Sequence, residues 1–265
     1  MERTLNGIEG GVVILGAGNV ATHLAINLAR HTHVRQIYNH NLSGAEVLAA
    51  KVGAQAIDSL DSLCTDAGLY IISVKDDAIA EIAQKLKGAG GLWAHTSGSV
   101  GMEALAAISC DYGVFYPMQT FSKDVDVNMH EVPIFIEGNN PETARLLKQY
   151  ASLISEKVYY ADSEHRAKLH IAAVFACNFT NRLWDISASL LKELGLGFET
   201  MRPLVEAMLA KACEVTPREG QTGPARRNDR KIINKHLEML DGENKELYSI
   251  LSESIIKQYY PHEQD

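Results

Sequence analysis

Gly11-Val12-Val13-Ile14-Leu15-Gly16-Ala17-Gly18-Asn19-Val20-Ala21-Thr22-His23-Leu24-Ala25 decides the fold. The apolar run before Gly16 reads as a buried strand, and the residues after Gly18 carry the pattern of an amphipathic helix. Between them stands G-x-G-x-x-A. Gly16 allows a tight strand-to-helix turn, Gly18 lets backbone approach a diphosphate, and the small Ala21 lets helix and strand pack closely. A diphosphate then meets the helix N-terminus, where unpaired N–H groups and the dipole favour anions. The alternative is a glycine-rich turn in an α/β protein that binds nothing there. On the first reading Gly16, Gly18, Asn19 and Val20 touch a dinucleotide.

Outward from this stretch, helix and strand signals alternate. Helices are predicted over 21–30, 44–52, 76–87, 101–108 and 141–153, and strands over 34–38, 55–57, 69–74, 92–95, 113–116 and 133–136. Asp76 or Asp77 is placed to cap the third of these helices. Continuous apolar runs such as 69–74 suit a parallel sheet covered on both faces. The alternation predicts an α/β fold, a doubly wound, mostly parallel sheet. Ser73 and Val74, where the fourth strand signal ends, join the expected cofactor contacts. From Ser163 onward only helical periodicity remains, in helices expected to run from 163 to about 194, 200 to about 215, 229–240 and 243 to about 259. The expected organisation is a dinucleotide domain over 1–160 and an all-helical substrate and dimerisation domain over 161–265.

The chain's 265 residues, 46% of them hydrophobic, suffice for one large domain or two ordinary ones. A net charge of -8 argues against general nucleic-acid binding, which needs a basic surface to neutralise phosphate. No apolar run approaches the roughly 20 residues that cross a bilayer. The start, Met1-Glu2-Arg3-Thr4-Leu5-Asn6, lacks the apolar core of a signal peptide. Cys64, Cys110, Cys177 and Cys213 are scattered with no C-x-x-C pair. They read as reduced, mostly buried thiols of a cytoplasmic protein, with no metal held by cysteine.

The end of the second strand bears on cofactor choice. An Asp or Glu there holds the ribose hydroxyls of NAD. This chain has Asn39, then His40, Asn41 and Ser43. Neutral groups remove the repulsion that a carboxylate exerts on a 2′-phosphate, so NADP is expected ahead of NAD, with Asn39 and His40 at the ribose. Arg35 and Lys51 are further charges available on this side. The bland alternative is a solvated polar loop.

Three later segments carry possible chemistry. His95-Thr96-Ser97-Gly98-Ser99 leaves the carboxyl end of a strand, where open sheets bind ligands. It offers an imidazole at His95, a hydroxyl at Ser97 and an approachable backbone at Gly98; the alternative is a turn capping the next helix. Tyr116-Pro117-Met118-Gln119 leaves the following strand and offers Tyr116 and Gln119, although Tyr116 equally suits ordinary packing. On the long helix, His170, Asn178 and Asn181 fall near one face at about 100° per residue. Buried polar groups need partners, at a cost of about 1–3 kcal/mol each when unmet. An interdomain cleft would supply them, whereas a lone histidine is more often a satisfied core residue. Finally, Thr222-Gly223-Pro224-Ala225-Arg226-Arg227-Asn228-Asp229 is locally basic in an acidic chain. Arg227 has the planar fork that matches a carboxylate, against the alternative of a solvated loop with a helix cap at Asp229.

Taken together, G-x-G-x-x-A, Ile72-Ser73-Val74-Lys75-Asp76-Asp77, His95 to Ser99, Tyr116 to Phe121, and Thr222 to Arg227 with Asp229 and His236 resemble a Rossmann-like family of unknown function. That family is related to the pyrroline-5-carboxylate reductases, the deazaflavin-dependent NADP oxidoreductases and, more distantly, the β-hydroxyacid dehydrogenases. The resemblance implies an N-terminal dinucleotide domain, a helical domain that commonly helps form dimers, and an NADP-dependent reductase or dehydrogenase. It implies no substrate. Tyr116-Pro117 is similar to a His-Pro pair of related sequences, and Lys75 stands where relatives often have proline. The Lys-x-x-Asn pair of the β-hydroxyacid dehydrogenases is not reproduced, because Ile171 follows Lys168 at that distance.

The expected activity is reduction of a small keto or imine substrate bearing a carboxylate. His170 is the first choice of proton donor and His95 the second, because an unperturbed imidazole titrates near neutral pH. Ser97, Gly98, Tyr116, Gln119, Asn178 and Asn181 then orient the substrate, and Arg227 holds its anionic group. The apolar helix surface within 171–191 and 201–209 points to a homodimer through the C-terminal helices. The alternative function is a non-enzymatic dinucleotide sensor or scaffold.

Overall fold

The computed structural model describes residues 10–261 and separates two compact units, one running through Asn178 and one beginning at Phe179. The first unit holds β1 (Val12–Leu15), α1 (Asn19–Leu28), β2 (Val34–Tyr38), α2 (Leu42–Val52), β3 (Gln55–Ile57), β4 (Leu69–Ile72), α3 (Asp76–Lys85), β5 (Leu92–His95), β6 (Asp111–Pro117), β7 (Ile134–Gly138), α4 (Pro141–Ala151), β8 (Val158–Tyr160) and α5 (Ser163–Ala173). The strands form one sheet in the order β3-β2-β1-β4-β5-β6-β7-β8. Only β6 and β7 pair antiparallel. The doubly wound, mostly parallel α/β fold is therefore the one expected.

The uniformly apolar β1 follows from its two covered faces. Val12 and Ile14 join one core with Leu24, Leu28 and Ile37, while Val13 and Leu15 join a second with Ile72, Ile79 and Trp93. With helices over both faces, no position in the strand meets water and polar alternation disappears. Leu15 pairs with Tyr38 on one side and Ile72 on the other. The carboxyl ends of β1, β2 and β4 are thus level, and Gly16, Asn39 and Ser73 leave the sheet together. Strand order reverses at β1, so the connections leaving β1 and β4 diverge and open a crevice.

Several local expectations are corrected. The helix expected over 101–108 is a single 3-10 turn, Met102–Leu105, because the run between Gly101 and Ser109 is too short to nucleate an α-helix. Asp76 and Asp77 do not cap α3. Lys75 holds the capping position without a side-chain bond, and both carboxylates lie in the first turn, where the dipole favours them. The apolar run over 69–74 leaves the sheet after Ile72, freeing Ser73 and Val74 for the connection. Val158–Tyr160, β-branched and aromatic, adds a strand parallel to β7 that was not expected. Arg35 lies at the amino end of β2, opposite Asn39, and is held there by Asp66 at 2.8 Å and by the carbonyls of Gly10 and Asp66.

A π-helical turn, Val174–Phe179, separates α5 from α6 (Thr180–Glu193). This wider turn breaks the constant advance per residue. Within the first unit, the face expected for His170 and Asn178 on an unbroken α-helix is therefore not maintained. The second unit is helical: α6, α7 (Arg202–Glu214), α8 (Pro217–Gly220), α9 (Arg230–Glu238) and α10 (Gly242–Tyr259). Ala225, Ile233 and Ile256 form its buried cluster. Three of the four thiols, at Cys110, Cys177 and Cys213, are exposed rather than buried, since they lie on a connection and on open helix faces. Among the described residues no helix is long and apolar enough to cross a membrane.

Candidate functional site

The two fingerprint glycines answer different demands. Gly16 has φ 124°, and a Cβ on it would lie 2.0 Å from the Ser73 carbonyl oxygen, so the close passage of β1 past β4 requires glycine. Gly18 has an ordinary φ of -80°, and a Cβ there would meet nothing within 4 Å. No protein contact accounts for glycine at this position. The missing side chain leaves room in front of the N-terminus of α1, which no side chain caps. That is the fit a diphosphate needs.

This space belongs to a cleft of about 1070 Å³ in the first unit. Gly16, Gly18, Asn19, Val20, Asn39, His40, Ser73 and Val74, the eight expected cofactor contacts, all line it. Asn19 also donates from Nδ2 to the Phe121 carbonyl at 2.9 Å, and His23 Nε2 lies 2.9 Å from the Ser122 carbonyl, so α1 is tied to the segment that carries Gln119. Asn39 donates from Nδ2 to the Asn41 carbonyl, and Asn41 in turn caps α2 by accepting from Ser43. No carboxylate stands at the end of β2. Lys75 and Lys85 line the same cleft together with Asp76 and Glu81, Lys85 being paired with Glu81 at 2.7 Å, whereas Lys51 does not line it.

At the other part of the cleft stand Ser97, Gly98, Tyr116, Gln119 and His170. Tyr116 Oη is 3.2 Å from His170 Nδ1, and the two rings meet edge to face with centroids 6.1 Å apart. Gly98 makes this approach possible, since a Cβ there would lie 2.7 Å from His170 Nδ1 and 2.9 Å from Tyr116 Cζ. Burial pushes the Tyr116 phenol above its usual range. Ser97 Oγ accepts from the N–H groups of Ser99 and Val100, bracing its own loop.

His95 does not line the cleft. It is fully buried beneath this loop, accepting from the Ser97 N–H at Nδ1 and facing the Gly101 carbonyl with Nε2, which identifies Nε2 as the protonated nitrogen. Burial, reinforced by the charge of Arg166, lowers its pKa to about 4. Its imidazole is neutral at physiological pH and braces the loop. Asn178 is exposed in the π turn and does not line the cleft. In the second unit, Asn181 is exposed on α6, and Arg227 is exposed in the 3-10 turn Ala225–Arg227. Sequence reasoning missed Thr96 and Pro117 as cleft residues, which their neighbours in the two motifs would have indicated. It also passed over Arg166, whose only signal was its place one helical turn before His170.

A doubly wound sheet with a glycine turn at its switch point defines a dinucleotide-binding type of fold. Residues 5–117 match the model of the Rossmann-like domain, and residues 132–255 match that of a domain of unknown function (DUF2520). A solved structure from Bacteroides fragilis, provisionally described as an NADP oxidoreductase, is 44% identical, with a TM-score of 0.89 over 94% of this chain and 99% of that one. The chain belongs to the same family as that protein, a Rossmann-like family carrying the domain of unknown function. A reductive aminase from Aspergillus terreus, solved with NADPH and ethyl levulinate, shares the fold at 15% identity and a TM-score of 0.71, covering 94% of each chain. A 1-pyrroline-5-carboxylate reductase from Streptococcus pyogenes shares it at 13% identity and a TM-score of 0.62, over 94% of this chain and 98% of that one. No curated protein matches the chain.

Proposed function

We propose that the protein is an NADP-dependent oxidoreductase that reduces a small keto or imine compound bearing a carboxylate. The observation that carries this reading is that the fingerprint glycines and the Tyr116–His170 pair line one cleft. NADPH is favoured because Asn39 and His40, not a carboxylate, follow β2. The descriptions of the Bacteroides fragilis protein and of the NADPH-bound reductive aminase support the same choice.

When bound, NADPH supplies the hydride. The protein must then deliver a proton to oxygen or nitrogen as negative charge develops there. His170 is assigned that proton, with Tyr116 holding its ring from Nδ1. Ser97 and Gln119 orient the substrate, the buried His95 keeps the Ser97–Gly101 loop in place, and Arg227 offers a fork suited to a carboxylate.

A homodimer through the C-terminal helices belongs to the proposal. Phe175 is 65% exposed in the first unit, as are Leu204 (66%) and Leu209 (62%) in the second, and apolar surface of this kind marks interfaces. The test of the function is calorimetric titration with NADPH and NADH, followed by a screen of keto acids and cyclic imines for NADPH oxidation. Saturable NADPH binding with turnover of a carboxylate-bearing carbonyl or imine is expected. Absence of binding to either dinucleotide overturns the reading, and binding without turnover by any compound favours a sensor.

A further inference from the structure

Arg166 is the most deeply buried charge among the described residues, its side chain 1% exposed. Nη1 donates to Glu137 Oε2, and Nη2 donates to the Val100 carbonyl and to Ser163 Oγ at 3.2 Å. Glu137 accepts in addition from the Ser163 N–H at 2.9 Å. One guanidinium therefore joins the end of β7, the first residue of α5 and the loop Ser97–Gly101. An ion pair of this kind is a poor device for stability, because desolvating two charges offsets their attraction and apolar replacements are often neutral or stabilising. What it supplies is a fixed geometry with several connections.

That geometry bears on the cleft. Arg166 lies one turn before His170 on α5, so the two side chains share a face. The loop that Arg166 holds through Val100 is the loop whose Gly98 passes within contact distance of His170 Nδ1 and of the Tyr116 ring. If α5 moves a few tenths of an ångström away from the loop and β6, the 3.2 Å Tyr116–His170 bond opens.

We infer that Arg166, paired with Glu137, is a positioning residue that holds His170 against Gly98 and Tyr116. This deepens the proposed function and rests on His170 as the proton donor. Lysine cannot replace the fork, since a single ammonium does not reach Glu137 and the Val100 carbonyl in the same fixed plane.

The test follows histidine side chains by long-range nitrogen-proton NMR in the NADPH-bound protein, with the His170 signal assigned by its loss in His170→Asn. Two variants are compared, Arg166→Lys and the charge-neutral pair Arg166→Met with Glu137→Gln. Both are expected to bind NADPH within about twofold of the unsubstituted protein while losing the signature of a hydrogen-bonded His170 Nδ1. With a substrate from the screen, turnover falls about tenfold or more and KM stays within about threefold. Unchanged His170 signals in both variants overturn the inference. If the unsubstituted protein binds no NADPH, the proposed function fails instead, and the same signals recorded without cofactor still decide the positioning role. Should neither variant fold, exchange of the Arg166 guanidinium protons decides in the unsubstituted protein: slow exchange supports the clamp, and exchange as fast as at exposed arginines overturns it.

Discussion

The phenol oxygen of Tyr116, at the end of β6, lies 3.2 Å from Nδ1 of His170 on α5. The pair is asymmetric in a useful way. Burial keeps the phenol protonated well beyond neutral pH, so it is able to donate to a bare Nδ1 and to accept from a protonated one. The bond thus persists through gain and loss of the imidazole proton, and the ring keeps one orientation in both states.

His170→Asn is expected to cut turnover about 100-fold or more, the scale of a lost proton donor. Tyr116→Phe is expected to cut it about fivefold, the worth of one hydrogen bond of about 1 kcal/mol. Steady-state kinetics beside NADPH titration check both, with cofactor affinity unchanged in each. Full turnover in His170→Asn would remove this residue from the mechanism.

Gly16 and Gly18 should separate stability from binding. Gly16→Ala forces a Cβ onto the Ser73 carbonyl at a positive φ, and is expected to cost on the order of 3 kcal/mol in chemical denaturation. Gly18→Val places its side chain in open space, leaving the melting temperature almost unchanged while abolishing NADPH binding. A Gly18→Val protein that still binds would mean that the glycine turn holds no diphosphate.

Asn39→Asp puts a carboxylate where a 2′-phosphate is proposed. The ratio of NADH to NADPH affinity is expected to rise about tenfold or more, for which about 1.4 kcal/mol of repulsion suffices. Fluorescence titration with both reduced cofactors reads the ratio, and an unchanged value would place the 2′-phosphate elsewhere.

His95 makes stability depend on pH. Its folded pKa of about 4 lies below its ordinary 6.5, so between these values the unfolded chain binds the extra proton. The contribution is complete above about pH 6.5, shrinks as pH falls and is lost by about pH 4, a change on the order of 3 kcal/mol. Denaturation series across this window should show that slope in the unsubstituted protein and a shallower one in His95→Gln. Equal slopes would show that His95 is protonated as readily in the folded protein as in the unfolded chain.

Light scattering should give twice the 29.1 kDa chain mass at micromolar concentration. Phe175→Glu with Leu209→Glu should lower it to the mass of one chain. A single-chain mass without substitutions would sink the dimer.

The sequence determined on its own what nearest neighbours along the chain can encode. Val12 to Leu15 announce a doubly covered strand because every position is apolar, Gly16 announces the turn because only glycine suits it, and Asn39 marks the end of β2 by its count from the glycines. Those features need a backbone shape and a face, and local residue types specify both. Tertiary structure alone decided the rest. Tyr116 and His170 are 54 positions apart, and Arg166 and Glu137 are 29 apart. The same imidazole chemistry stands in the sequence at His95 and His170, yet one is sealed beneath a loop and held neutral while the other lines the cleft. Which histidine meets solvent, and which charge is buried, depends on how the β6, β7 and α5 segments close on one another, because desolvation and hydrogen-bond partners are properties of packed neighbours rather than of sequence neighbours.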